Sequence, residues 1–174
     1  MTAEIQPPQI EDVPPARRTS LEGLLAESFE GWYLRHSKKT LMSVEVVRAA
    51  AVEGRPVGLV MLKKLNSFIG YVFYIAVAKD YRRKRVGTTL LDHSLDYFSS
   101  IGMREVYSSV EEGNAESTGL FMSRGFSRTN YREVAGKYGP LKALDLYRRM
   151  LVVPGETLLV RSLDARSEPY ERRP

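Results

Sequence analysis

The chain has 174 residues, of which 43% are hydrophobic, and this is enough to build the core of one domain. It contains no cysteine and two histidines, which excludes disulfide scaffolds, zinc–thiolate sites and cysteine nucleophiles, and no metal is expected. The net charge of +5 favours an anionic ligand or partner. The sequence shows neither an apolar run of about 18 residues nor a leader, so we predict a soluble, cytoplasmic protein with no membrane partner.

The first residues of the chain are rich in proline. Four prolines stand among polar residues in 1–17, a composition that resists helix and sheet interiors, and we predict a flexible arm there. The domain itself is predicted to span residues 18–164. From Ser20, a candidate helix cap, apolar residues recur every three or four positions as far as His36, which predicts one amphipathic helix with an interruption at Gly31.

Strands are predicted in the next part of the chain. Apolar segments over 44–52 and 57–63 flank a turn that contains glycine and proline, a pattern typical of a hairpin. A third strand is predicted over 71–77. A helix that ends near Ser100 and a further strand over 105–110 follow it, so this part of the chain predicts a β–α–β unit.

Four successive cations occupy residues 82–85, between the third strand and the helix that follows it. The first N–H groups of a helix lack intrahelical acceptors, and the positive end of the helix dipole lies there as well. A turn with this composition at this place favours an anion such as a phosphate. A solvated basic patch and a nucleic-acid contact are the alternatives that the charge run alone leaves open.

The C-terminal part of the chain has weaker patterns. A short helix is predicted over 114–124, with Asn114 as a candidate cap, and a final strand over 157–160. The apolar residues of 140–152 fit a helix, and partly fit a strand, and both interpretations stay open. The charged residues 165–174 are predicted to form a frayed tail.

The order of these elements and three local motifs resemble the GNAT superfamily of acyl-CoA-dependent N-acetyltransferases, over about residues 20 to 150. Residues 56–60 resemble the family's strand that enters the central sheet, and residues 75–77 with 81–87 resemble its CoA-binding segment. The family's downstream signature is similar to Asn114, Ser117, Leu120, Phe121 and the pair Gly125 and Phe126. The resemblance implies an α/β (α+β) fold, a single GNAT-like domain with a central mixed, mostly antiparallel sheet flanked by helices.

The resemblance also implies an activity, the transfer of an acetyl group from acetyl-CoA to a primary amine by direct attack in a ternary complex. The acceptor is a small molecule or a protein or peptide amine, and a homodimer is left open. The strand 75–77 is expected to pair with the pantetheine arm and the turn 82–88 to hold the phosphates. The implied cofactor-binding residues are Ile75, Ala76, Val77, Arg82, Arg83, Lys84, Arg85, Val86, Gly87, Thr88, Asn114 and Phe121.

Two departures from the family pattern concern the cofactor site. Arg85 stands at the first glycine position of the turn, and a positive φ there would cost a non-glycine residue on the order of 1 kcal/mol. Either the loop relaxes or Arg85 adds a phosphate contact, and we favour the second. Phe121 falls where many relatives have a tyrosine that protonates the departing thiolate, and phenylalanine has no proton to give.

The general base is the second open point. Relatives place a glutamate at the position of Tyr71 or of Ser109, and neither residue is acidic here. Glu111 lies two residues beyond Ser109, on the same face of a strand, and is the first catalytic candidate, with Glu112 as the second.

Less specific interpretations accompany these assignments. Tyr71 and Phe73 share a strand face and belong either to sheet packing or to an acceptor cleft. His36 and His93 are interpreted as satisfied surface or half-buried histidines. A catalytically weak CoA-binding module, or a basic adaptor for nucleic acid, is the alternative to the enzyme.

Overall fold

The computed structural model describes residues 7–164 of the chain, so the predicted tail over 165–174 lies outside the described residues. Over this range the chain forms seven strands and six α-helices, which confirms the predicted α/β class with a mixed, mostly antiparallel sheet. The strands are β1 (Gln9–Asp12), β2 (Val46–Val52), β3 (Arg55–Lys64), β4 (Ile69–Val77), β5 (Glu105–Glu111), β6 (Ser127–Thr129) and β7 (Glu156–Ser162). Their order in the sheet is β1-β2-β3-β4-β5-β7-β6.

The helices lie in the connections between these strands. They are α1 (Glu22–Ser28), α2 (Gly31–Ser43), α3 (Val86–Ser100), α4 (Ala115–Met122), α5 (Tyr131–Tyr138) and α6 (Pro140–Met150), with 3-10 helices at Pro15–Leu21 and Lys79–Tyr81. The described residues divide into two compact units, one formed by 7–63 with 72–96 and the other by 64–71 with 97–164. In the described part of the chain, no helix is both long enough and apolar enough to span a bilayer.

The hairpin predicted in the first unit is confirmed. β2 and β3 pair antiparallel, with Val52 opposite Arg55, so two residues form the turn. These are Glu53 (φ 50°) and Gly54 (φ 76°), and two successive positive φ angles match the turn that suits the twist of a two-residue hairpin. The core under this hairpin includes Leu25 of α1, Leu41 of α2 and Leu59 of β3, all fully buried.

The N-terminal arm differs from its prediction. Residues 1–6 lie outside the described residues, but Gln9–Asp12 forms β1 and pairs antiparallel with β2. The 3-10 helix Pro15–Leu21 then leads into the domain. The prolines do not prevent this, because they flank the strand, and Pro15 stands at the first helical position, where no donor is needed.

The single helix predicted from Ser20 to His36 is also wrong. Ser20 lies inside the 3-10 helix and its hydroxyl donates to the Arg17 carbonyl (2.7 Å), so it does not cap α1. Phe29 and Glu30 have extended backbone (φ −134° and −129°) and separate α1 from α2, which continues to Ser43. The predicted interruption at Gly31 is therefore a complete break at Phe29 and Glu30, immediately before that residue.

A glycine in β3 allows α3 to pack closely. A Cβ atom at Gly58 would lie 3.0 Å from a methyl of Val86, 3.1 Å from the Ala76 carbonyl oxygen and 3.1 Å from Leu90. Val86 is the first residue of α3 and Ala76 belongs to β4. The absence of a side chain at Gly58 thus positions the start of α3 against the strands.

The second unit settles the open interpretation of 140–152. This segment is mainly the helix α6, because Ala143, Leu146 and Met150 recur with helical spacing and are buried. β7 pairs antiparallel with both β5 and β6, which confirms the predicted final strand and extends it to Glu156–Ser162. β6 and α5 were not predicted.

Candidate functional site

The basic turn keeps a left-handed backbone without glycine. Arg83 has φ 58° and Arg85 has φ 63°, so the loop does not relax at the position where the resemblance expects glycine. The structure thus contradicts the first alternative, a relaxed loop, and the phosphate contact of Arg85 stays a prediction. Backbone strain of this kind persists where the surrounding structure enforces it and is concentrated at functional sites.

The strained residues lead directly into the start of α3. Thr89 N–H donates to the Arg85 carbonyl (2.9 Å), the first bond of the helix, and the N–H groups of Val86, Gly87 and Thr88 precede it. N–H groups at a helix start lack intrahelical acceptors. Together with the exposed side chains of residues 83–85, they offer hydrogen-bond donors and positive charge of a kind that binds phosphates.

Arg82 is placed differently from the three cations that follow it. It is half-buried, its Nε donates to the Val77 carbonyl (3.2 Å), and its Nη2 donates to the Glu27 carbonyl (3.0 Å). These acceptors belong to the end of β4 and to the last turn of α1. The structure therefore directs two of its donors to the protein main chain.

The predicted pantetheine strand is the end of β4. Ala76 is buried, whereas Ile75 and Val77 are half-buried and share the opposite strand face. Beyond them, Ala78 N–H donates to the Val57 carbonyl (2.9 Å). The strand 75–77, the turn and the start of α3 all lie in the first unit, so the structure brings these predicted cofactor residues together.

An aromatic cluster, which we define as Trp32, His36, Phe73 and Tyr74, joins α2 to β4 in the same unit. His36 Nδ1 lies 2.6 Å from the Tyr74 hydroxyl, and the Trp32 ring stacks on the imidazole at 4.9 Å with planes 6° apart. Trp32 is 45% exposed. His36 is half-buried, which agrees with its interpretation as a satisfied histidine, and His93 is exposed.

Asn114 and Phe121 lie in the second unit, on α4. Asn114 caps the helix, since its side-chain oxygen accepts from Ser117 N–H (3.0 Å), which confirms its predicted capping role. Phe121 is buried and meets Phe126 edge-to-face, with ring centroids 5.0 Å apart. Phe121 is thus a packed core residue, and its cofactor contact stays a prediction.

The two candidate carboxylates are exposed at the end of β5. Glu111 is its last residue and lies opposite Glu156 of β7, and Glu112 N–H donates to the Gly155 carbonyl (2.8 Å). A like-charged residue directly opposite is unfavourable in a sheet. This environment leaves the Glu111 side chain in solvent, where it can accept a proton directly or through water.

Tyr71 and Ser109 are hydrogen-bonded to each other. These are the two positions at which the resemblance implies a glutamate. The Tyr71 hydroxyl lies 2.8 Å from Ser109 Oγ, and Tyr71 is 1% exposed. Sheet packing is therefore the interpretation that fits Tyr71. The bonded hydroxyl pair was missed, because nothing in the sequence shows that residues 38 positions apart are paired.

A hydrogen-bonded cluster around a buried carboxylate, which we call the Glu105 cluster and define as Glu105, Tyr107, Lys137 and Tyr138, was also missed. The Glu105 carboxylate is 9% exposed and accepts hydrogen bonds from the Tyr107 hydroxyl (3.2 Å), the Lys137 ammonium and the Tyr138 hydroxyl. Burial and the Glu105 carboxylate raise the pKa of Tyr107 far above its ordinary value of 10.0. The cluster joins the start of β5 to the end of α5.

Metal ligands are not grouped in the part of the chain that the structure describes, where no three His, Cys, Asp or Glu side chains could hold an ion together. Within residues 7–164, the candidate site thus consists of the basic turn with the N–H groups at the start of α3, the adjoining end of β4 and the aromatic cluster.

The sequence is similar to those of known acetyltransferases. The model of the acetyltransferase (GNAT) family matches residues 9–126. The [ribosomal protein bS18]-alanine N-acetyltransferase of Escherichia coli is 34% identical over 61 residues, which cover 35% of this chain and 41% of that protein. An N-alpha-acetyltransferase of Sulfurisphaera tokodaii is 34% identical over 89 residues, 44% of this chain and 53% of that protein. The chain therefore spans about half, or less, of the length of these relatives.

Among solved structures, the E. coli ribosomal-protein-S18-alanine N-acetyltransferase superposes with a TM-score of 0.67 and 16% identity. The superposition covers 94% of this chain and 99% of that one. At this identity the likeness shows the fold.

Proposed function

Because this chain belongs to the acetyltransferase (GNAT) family, we propose that it is an acetyl-CoA-dependent N-acetyltransferase that acetylates a primary amine. The observation that carries the proposal is the basic turn, in which the exposed cations of 83–85 meet the N–H groups at the start of α3. Acetyl-CoA carries phosphates, and this surface supplies both charge and hydrogen-bond donors to them. The pantetheine arm then runs back along 75–77.

In the proposed reaction the neutral amine nitrogen attacks the thioester carbonyl carbon in a ternary complex. A carbon–nitrogen bond forms, the carbon–sulfur bond breaks, and the amine loses one proton while the CoA thiolate gains one. Glu111 is the proposed base, acting through water, with Glu112 as the second candidate. Phe121 has no proton to give to the thiolate, so positioning of the two reactants supplies much of the rate.

The acceptor that we propose is the N-terminal amine of a protein or peptide, rather than a small molecule. The two relatives named above are described as an alanine N-acetyltransferase of a ribosomal protein and as an N-alpha-acetyltransferase. Cytoplasmic location and a homodimer stay predictions, and sedimentation of the purified protein checks the second.

Ligand stabilisation tests the cofactor half of the proposal. Acetyl-CoA at about 100 times its dissociation constant should stabilise the folded protein by about 2.7 kcal/mol, which a thermal shift detects. Release of free thiol with a peptide that begins with alanine tests the acceptor half. An absent thermal shift contradicts the enzyme, and a shift without thiol release on any amine favours the CoA-binding module instead.

The Glu111→Gln variant tests the base. We expect its turnover at neutral pH to fall about tenfold or more, because the amide cannot accept the amine proton. Glu53→Gln makes the same change at an exposed residue of the β2–β3 turn and is the matched control. An unchanged pH–rate profile in Glu111→Gln would remove Glu111 from the mechanism.

A further inference from the structure

Glu27, in the last turn of α1, is bonded through both its side chain and its main chain to the segment that connects β4 to α3. Its carboxylate Oε2 accepts from Lys79 N–H (3.0 Å), and its carbonyl oxygen accepts from Arg82 Nη2 (3.0 Å). Arg82 also reaches Val77 at the end of β4, through Nε (3.2 Å). One glutamate and one arginine therefore join α1, the strand end and the basic turn.

The joint between α1 and α2 begins two residues after Glu27. Phe29 and Glu30 have extended backbone, so the helical hydrogen-bond ladder does not continue from one helix into the next. The direction of α2 consequently depends on contacts on both sides of this joint. Glu27 provides one contact on the α1 side, in addition to the ion pair between Glu22 of α1 and Lys38 of α2 (3.1 Å).

The aromatic cluster provides the contact on the α2 side. His36 bonds to Tyr74, and the exposed Trp32 ring stacks on His36. This step rests on the proposed function: with the phosphates at the end of β4 and the pantetheine arm running back along 75–77, the acetyl group lies toward Tyr74. The cluster is then beside the reacting end of the cofactor.

We infer that Glu27 and Arg82 are positioning residues that couple occupancy of the basic turn to the placement of α2, and so set the affinity for the acceptor amine. An anion on residues 83–88 immobilises the turn that contains Arg82. The hydrogen bonds from Arg82 Nη2 and Lys79 N–H then restrict the motion of Glu27, and with it the motion of the joint between α1 and α2. Arg82 differs in this respect from the three cations that follow it, which are exposed.

Steady-state kinetics with acetyl-CoA and a peptide that begins with alanine test the coupling. We expect Glu27→Ala to raise the peptide KM about tenfold, within the usual range for coupled sites, and to leave the acetyl-CoA Kd within about twofold. Glu27→Gln should restore the KM, because its amide oxygen still accepts from Lys79 N–H. Glu11→Ala on β1 is the control for removal of an exposed carboxylate.

Arg82→Gln should raise the peptide KM as well, with Arg82→Lys as the variant that retains the charge. A merely structural role would lower the melting temperature and leave the ratio of KM to Kd unchanged. The coupling is overturned if either variant weakens acetyl-CoA binding with an unchanged peptide KM, or changes neither quantity.

Hydrogen exchange over residues 27–36, with and without coenzyme A, is the direct readout. We expect coenzyme A to slow exchange there in the wild type and in Glu27→Gln, but not in Glu27→Ala. A wild type that binds coenzyme A and releases thiol, yet shows equal exchange in both conditions, overturns the coupling alone. A wild type that binds no coenzyme A contradicts the proposed function, and the coupling with it.

Discussion

The basic turn and the Glu105 cluster use charge in opposite ways. Residues 83–85 hold three cations in solvent on a strained backbone, whereas Glu105 is enclosed and accepts from three donors. An exposed charge has no desolvation cost and is available to a ligand. A buried charge is stable only when hydrogen bonds replace its contacts with water. The comparison indicates that the turn is built for binding and that the cluster is built for the fold.

The largest expected effect is on stability, from Glu105→Ala. This change removes the acceptor that Tyr107, Lys137 and Tyr138 share, and with it the ion pair to Lys137, so we expect the free energy of unfolding to fall by about 3 kcal/mol. Urea unfolding measures it. Glu111→Ala, an exposed carboxylate at the other end of β5, should change it by less than about 0.5 kcal/mol. Equal losses of unfolding free energy in the two variants would contradict the structural role assigned to Glu105.

The second effect is on affinity, from Arg83→Glu. Reversal of a solvent-exposed charge at the proposed phosphate site should weaken acetyl-CoA binding about thirtyfold, or about 2 kcal/mol, with little loss of stability. Titration calorimetry measures the Kd. Lys142→Glu makes the same charge change at an exposed position of α6 and should leave the Kd unaltered. Intact affinity in Arg83→Glu would mean that the phosphates bind elsewhere.

The third effect is a fall in the free energy of unfolding at alkaline pH, which originates in the Glu105 cluster. Because the pKa of Tyr107 is raised by burial and by Glu105, the folded state keeps a proton that the unfolded state loses above pH 10.0. Stability from this group is present below that pH and falls above it, by at most about 1.4 kcal/mol per pH unit. We expect a smaller fall in Tyr107→Phe, measured as unfolding free energies at about pH 9 and about pH 11. An identical fall would contradict the assignment.

The smallest effect concerns the strain at Arg85. In Arg85→Gly, relief of about 1 kcal/mol of left-handed strain is offset by the greater freedom of glycine in the unfolded chain, so stability should stay nearly constant. Arg85→Val keeps the strain and adds a β-branched side chain, and should be about 1 kcal/mol less stable than Arg85→Gly. Thermal unfolding measures both. Equal stability would show that the loop can leave this conformation.

Local patterns predicted the part of the fold that forms the proposed cofactor site. The hairpin turn, β4, the cations and the start of α3 each have a signal within a few residues, and all are present. β1 was missed because four mostly exposed residues between prolines lack an apolar pattern, and their pairing with β2 is a distant contact. The break at Phe29 was missed because the apolar period continues across it.

The candidate site shows the same limit. The cations could be identified from the sequence, but the inward direction of Arg82 depends on the carbonyl of Glu27, 55 positions away in the chain. The burial of Glu105 likewise depends on Lys137 and Tyr138, which belong to a helix that was not predicted. The charged side chains could be identified from the sequence. Their hydrogen-bond partners depend on tertiary contacts, which the sequence does not show.

Gly58 has a consequence for how cofactor affinity can be tuned. A methyl group at this position would press on Val86 and Leu90 at 3.0–3.1 Å, and those neighbours would have to move by a few tenths of an ångström. If the backbone at Val86 follows its side chain, the N–H groups at the start of α3 move with it. A substitution at Gly58 would then change the affinity of the proposed phosphate site, while every cation of the turn stays in place.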